Sequence, residues 1–306
     1  MSCEHLETLW RDPDGTNYEM GITLYTMLLC CKMHALSWCY RDGAAHLAYQ
    51  KLTPEQREEK AGRALRLNDD QRARMVLECP SLLEVTSYVF FCQACALGIF
   101  FEFRDYKAWV ERAAEYRDVP APFAETFRYL AEGAACLGLV LGVQPYIPME
   151  HMWGEAYWER PYWQRLGYYY CAMWVRRSFF YAPFKLSGAA ISACGLTYNG
   201  KDKDGKHRWD KIVPVHVAEI ETAASTMEML RGWNYQVHLW LKFYVQARLV
   251  GPDQRAGTRE SMATFMVSAF WHGFYPFYHV MFFFAAVLAE VTKDVYKCWI
   301  FFQWIP

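Results

Sequence analysis

His272 lies in the run Met266 to Phe284, Met-Val-Ser-Ala-Phe-Trp-His-Gly-Phe-Tyr-Pro-Phe-Tyr-His-Val-Met-Phe-Phe-Phe, walled by aromatic and aliphatic side chains. No Asp, Glu, Lys or Arg occurs from Ser261 to Ala289. That stretch is long enough to cross a bilayer core, which takes roughly 20 residues. A titratable group at such depth is costly unless it faces a cavity or a partner, which makes it a functional candidate. An imidazole titrating near neutrality can take a proton from a hydroxyl and hand it to a leaving group. Gly273 permits close backbone approach, and a helix break at Pro276 would free N–H groups for a developing oxyanion. The competing reading is a core histidine bonded to Ser268, one turn earlier, and composition does not separate the two.

Asn234, in Arg-Gly-Trp-Asn-Tyr-Gln-Val-His-Leu-Trp-Leu-Lys, is the second candidate. Its carboxamide can donate to an oxyanion and accept from a hydroxyl or an imidazole, although alone it reads first as a helix cap or turn residue. Trp233, Trp271 and Tyr275 flank these two polar residues and are expected to touch substrate. Lys242, two turns beyond Asn234, and the pair Arg176-Arg177, with Lys185 after it, are the cations available to phosphate groups. Interfacial anchoring accounts for the arginines equally well. His272 and His279 are seven apart and so lie on one helical face, where a haem or metal site is conceivable, with His238 elsewhere. No carboxylate or cysteine completes a usual ligand set, so no metal is expected. Nothing matches a phosphate-binding loop, a dinucleotide fingerprint, a nucleophile elbow or a zinc-protease helix.

Helices must hold these residues. Strand-like alternation is sustained in no apolar stretch, so the expected class is all-α. Apolar stretches run over Met20 to Tyr40, Pro80 to Phe101, Gly133 to Met149, Gly167 to Tyr198, Asn234 to Val250, Ser261 to Ala289 and Tyr296 to Ile305. Roughly five to seven spans are expected, forming a polytopic transmembrane helical bundle that encloses a catalytic chamber. Lys51 to Arg74 reads as a solvated or interfacial helix. Its seven cations against five acids, and the five against three of Lys201 to Lys211, mark cytosolic loops.

Composition bounds the function. Of 306 residues, 54% are hydrophobic and 18% aromatic, with a formal net charge of -1. The charge gives no reason to invoke nucleic acid. Mean hydropathy is only -0.10, because polar blocks such as Lys51 to Met75 and Asn199 to Lys211 offset the apolar stretches. The eleven cysteines sit mostly in apolar runs and read as small buried hydrophobes in a reducing environment, with Cys92-Gln-Ala-Cys95 as packed helix. The first residues lack the basic and apolar regions of a secretory signal, so membrane targeting would come from internal spans.

The segment Val267-Ser-Ala-Phe-Trp-His-Gly-Phe-Tyr-Pro276 resembles the signature of the membrane-bound O-acyltransferase family, in its lysophospholipid acyltransferase branch. Trp233-Asn-Tyr-Gln-Val-His-Leu-Trp-Leu241, Pro80-Ser-Leu-Leu-Glu84, Ser87-Tyr88, Phe101-Glu-Phe-Arg-Asp-Tyr106, Tyr40-Arg-Asp-Gly43 and Gly195-Leu-Thr-Tyr-Asn-Gly200 match further family segments. The resemblance covers most of the chain from about Asp12 and implies a single domain over residues 1–306, a partial one shortened at both ends. It implies His272 as catalytic base with Asn234, in an enzyme moving a fatty acyl group from acyl-CoA to the free hydroxyl of a lysophospholipid. It also implies a multi-pass endoplasmic reticulum protein without cofactor, acyl-CoA being the co-substrate and lipids the partners. Phe277-Tyr278-His279 and Gly98-Ile99 depart from the family pattern of Gly-Tyr-Tyr and Gly-Pro. Alternatives are an inactive or truncated membrane scaffold, or a family member acylating a sterol, a diacylglycerol or a protein.

Overall fold

The described residues fold as helices joined by turns and coil, and the one β feature among them is an isolated bridge from Lys201 to His207. The computed structural model describes residues 23–59, 67–91, 98–250 and 254–303. In chain order the principal helices are α1 (Thr23–Gln50), α2 (Asp69–Arg74), α3 (Leu82–Val89), α4 (Phe103–Val110), α5 (Phe123–Val143), α6 (Tyr162–Ala193), α7 (Thr226–Gly232), α8 (Tyr235–Leu241), α9 (Thr258–His272) and α10 (Pro276–Gln303). Polar side chains start several of them. Ser81 and Glu84 form a reciprocal capping box on α3, as do Asn68 and Gln71 on α2.

Among the described residues one helix, α5, is long and apolar enough to cross a membrane. The other long helices carry charge within them: Lys32, Arg41 and Asp42 in α1, Arg165, Arg176, Arg177 and Lys185 in α6, and Glu290, Lys293 and Asp294 in α10. The stretch Pro80 to Phe101 is not one helix. α3 ends at Phe90, and the Tyr88 hydroxyl donates to the Phe101 carbonyl at 2.6 Å, so the chain doubles back. Lys51 to Arg74 is likewise not continuous, since Asn68 caps a new helix. Cys92 and Cys95 lie outside the described residues.

The chain divides into two compact units, residues 1–111 with 218–306, and residues 112–217. In the first, a stripe of α1 formed by Met27, Leu28, Cys31, Ala35 and Cys39 is buried against Phe100, Val237, Trp240, Phe243, Tyr244, Val245 and Trp271. The i, i+4 spacing of that stripe is what lets one face of a helix pass into a core. Lys32, beside the stripe, is fully buried. Its ammonium donates to the Tyr88 carbonyl at 2.8 Å and lies 4.4 Å from the Phe101 ring centre. A cation there meets the unsatisfied carbonyls at the end of α3.

In the second unit, α5 packs against α6. Small residues permit the approach: a Cβ on Gly188 would lie 2.8 Å from the Tyr129 ring, and one on Gly133 would lie 3.1 Å from Leu186. Lys185 is buried and pairs with Glu132 at 2.5 Å.

Candidate active site

His272 is the last residue of α9, and the chain leaves the helix through Gly273 at φ 131°, a conformation few L side chains adopt. α10 then begins at Pro276, a position where the missing proline N–H costs no hydrogen bond. The break expected at Pro276 is therefore present. The shared face expected for His272 and His279 is not, because the two residues belong to different helices. Phe270 and His279 face each other instead, with ring centres 4.8 Å apart. The Thr258 hydroxyl donates to Glu290 at 3.0 Å and Lys293 reaches Ser261 at 3.5 Å. α9 and α10 thus form an antiparallel hairpin, and the long uncharged run is two helices rather than one crossing.

The hairpin turn makes the surroundings of His272. Its half-buried imidazole is stacked on Phe282 at 5.0 Å, with Trp271 at 4.8 Å and Tyr278 at 5.8 Å. Trp271 is buried, and its indole N–H donates to the Met27 carbonyl at 3.1 Å, tying the end of α9 to α1. The Tyr275 carbonyl accepts from the Tyr278 N–H at 3.0 Å, closing the first turn of α10.

Asn234 occupies the position before α8 with φ 39° and ψ 59°, the left-handed region. Its carbonyl accepts from the His238 N–H at 3.0 Å, but its side chain makes no capping bond. The carboxamide is therefore not used as the cap that its sequence position suggests. A left-handed non-glycine residue is strained by roughly 1–3 kcal/mol, and such strain concentrates at ligand and catalytic sites. Trp233 ends α7, half-buried.

The helices bearing the two residues meet. Trp240, on α8, lies 6.1 Å from Trp271 on α9, and α7 packs against α10. Past Leu241 the helix widens into a π turn, Lys242–Gln246, a form frequent at functional sites. Lys242 is exposed at its start, with its ammonium 4.9 Å from the Phe243 ring centre. Arg176 and Arg177 belong to α6 in the other unit, where Arg176 lies 5.2 Å from the Phe179 ring centre.

Around the π turn the structure assembles groups that the sequence did not single out. Arg248 meets Asp42 through two hydrogen bonds of 2.8 and 2.7 Å in a buried setting. The Tyr244 hydroxyl donates to Glu102 at 2.5 Å and lies 3.1 Å from the Cys39 sulfur. Arg74 reaches Glu102 at 3.4 Å. Burial outweighs these partners and raises Glu102 from 4.5 to about 7. The His34 ring lies 5.7 Å from Trp240.

Known proteins bear on the whole arrangement. A family model described as the membrane-bound O-acyltransferase family matches residues 12–304. The chain is 32% identical to lysophospholipid acyltransferase 2 of Arabidopsis thaliana over 76% of its length and 51% of that protein. It is 28% identical to lysophospholipid acyltransferase of Saccharomyces cerevisiae, over 88% of the chain and 44% of the relative. With membrane-bound glycerophospholipid O-acyltransferase 1 of Mus musculus the identity is 29%, over 71% and 46%. The chain spans about half the length of the curated relatives it matches. A match over residues 12–304 takes in both units and both candidate segments, and the chain belongs to the membrane-bound O-acyltransferase family.

Proposed function

We propose that this chain transfers a fatty acyl group from acyl-CoA to the free hydroxyl of a lysophospholipid, at the endoplasmic reticulum membrane. The observation that carries the reading is the pairing of the two segments: α8, opened by a left-handed Asn234, is packed through Trp240 and Trp271 onto the helix that ends at His272. The names of the relatives support the substrate class.

In this reading the His272 imidazole removes the proton of the lysophospholipid hydroxyl as its oxygen attacks the thioester carbonyl. The tetrahedral intermediate carries an oxyanion, to which the Asn234 carboxamide N–H donates. Collapse breaks the carbon–sulfur bond, and the imidazolium returns its proton to the departing thiolate. No covalent enzyme intermediate is needed. The enclosing rings of Trp271, Tyr278 and Phe282 keep water from the thioester.

A polytopic helical bundle is the setting this chemistry needs. Phe277 is 73% exposed, and Met281, Phe284, Leu288, Val291 and Val295 of α10 are also exposed. An apolar face of that kind suits lipid contact.

Membranes containing the chain are expected to incorporate labelled acyl-CoA into lysophospholipid, and His272→Ala to abolish incorporation at unchanged protein level. Equal incorporation by the variant ends the role of His272. Stable insertion without incorporation by the parent chain favours an inactive scaffold. Incorporation into a sterol, diacylglycerol or protein but not lysophospholipid would transfer the same chemistry to another acceptor.

A further inference from the structure

One face of α1 carries polar groups that the proposed acyl transfer does not use. Cys30, Met33, His34, Ser37, Trp38 and Arg41 follow at helical spacing and line a recess of about 410 Å³. The hollow is open, and all six residues belong to one face of α1. Its hydrogen-bonding capacity is skewed toward donors. The Trp38 indole N–H donates to His34 Nε2 at 3.0 Å. Indole only donates, so Nε2 is the acceptor and the neutral imidazole holds its proton on Nδ1. That Nδ1 is enclosed and has no hydrogen-bond partner among the described residues. The Ser37 hydroxyl already donates to the Met33 carbonyl at 2.8 Å.

Arg41 supplies the charge. Its guanidinium carbon lies 4.8 Å from the Trp38 ring centre, an orientation that holds a planar cation on an aromatic surface. No carboxylate lines the recess. The second guanidinium over Trp38, that of Arg248 at 4.5 Å, is neutralised by Asp42. Arg41 makes no ion pair among the described residues. A guanidinium without a carboxylate partner, beside an indole and a methionine, fits an anion with an apolar arm.

We propose that this recess holds the phosphate of a phosphate-ester substrate, with Arg41 as the anion ligand, Trp38 as its support and Met33 along the attached chain. The proposal rests on the acyl-transfer reading, which assigns two phosphate esters, acyl-CoA and lysophospholipid. The recess adjoins the candidate catalytic segment, since His34 contacts Trp240, which contacts Trp271, the neighbour of His272.

The test uses the full chain in lipid nanodiscs carrying His272→Ala, so that binding is read without turnover. Radiolabelled coenzyme A and radiolabelled lysophosphatidylcholine are titrated separately, with and without Arg41→Ala. Expected is an affinity loss of about tenfold for one probe, a typical effect of removing a charge-assisted hydrogen bond, with partial recovery in Arg41→Lys. The probe that loses affinity identifies the source of the phosphate. Both probes binding Arg41→Ala within about twofold of the parent overturns the subsite, as does a parent that binds neither. Failure of acyl transfer with Arg41-dependent binding intact would instead remove the enzymatic reading alone.

Discussion

Trp240 and Trp271 lie with ring centres 6.1 Å apart and planes inclined by 39°. Through this contact the helix that follows Asn234 is set against the helix that ends at His272. Trp271 is also bound to α1 by its hydrogen bond to Met27.

Trp271→Phe keeps an aromatic ring and removes the N–H, while the Met27 carbonyl keeps its intrahelical partner within α1. A stability loss of about 1 kcal/mol is expected. Incorporation of labelled acyl groups should fall further than the folded fraction does, because His272 is the next residue. Activity that simply tracks the folded fraction would show that the indole bond does not position the imidazole.

Substitution at Asn234 separates backbone from side chain. Asn234→Gly suits φ 39° and should leave thermal stability unchanged or raised by up to ~1 kcal/mol. Acyl transfer should nonetheless be lost with the carboxamide. Asn234→Ala should lose both activity and some stability. A fully active glycine variant would restrict Asn234 to shaping the turn.

The Asp42–Arg248 pair is buried, and removing one partner strands the other charge. Asp42→Asn is expected to cost about 3–5 kcal/mol, read as a drop in the unfolding midpoint in detergent. Arg248→Lys should not rescue the fold, since an ammonium cannot reproduce the paired bonds of 2.8 and 2.7 Å. A lysine variant as stable as the parent would show that charge alone suffices.

Stability should depend on pH through Glu102. Its value is raised from 4.5 to about 7, so between those limits the folded chain holds a proton that the unfolded chain has released. By linkage this contribution to stability is fully present below about 4.5 and is lost as pH rises through about 7. Unfolding midpoints measured across that range should decline toward neutrality, and Glu102→Gln should flatten the decline. An unchanged slope in the glutamine variant would assign the effect to other groups.

Glu84 has the opposite sign. The Ser81 N–H and hydroxyl, with Lys107, lower it from 4.5 to about 2, so its contribution to the capping box is fully present above about 4.5 and is lost as pH falls through about 2. Ser81→Ala is expected to cost about 1 kcal/mol at neutral pH, and no loss would mean that α3 is held by packing alone.

What was legible in the sequence was local. Pro276 marked a helix break beside His272 because a missing N–H acts within one turn. The all-helical class followed from the lack of strand-like alternation in any apolar stretch. The shared face of His272 and His279 failed because a seven-residue spacing places two side chains together only on an unbroken helix. The uncharged run Ser261 to Ala289 misled for the same reason: its length suited one crossing, yet the chain folds back within it.

Tertiary structure decided the pairings between distant segments. Asp42 meets Arg248 across 206 positions, and Glu102 meets Tyr244 across 142. Periodicity carries the orientation of a side chain around its own helix but no information on which helix it will face. Asn234 shows both limits in one residue: its type and place suggested a cap, while only the folded backbone revealed a left-handed turn whose carboxamide leaves the cap unmade. Chemistry-bearing residue types are written along the chain, whereas their company is set by how helices of unlike length and charge bury their apolar faces against one another.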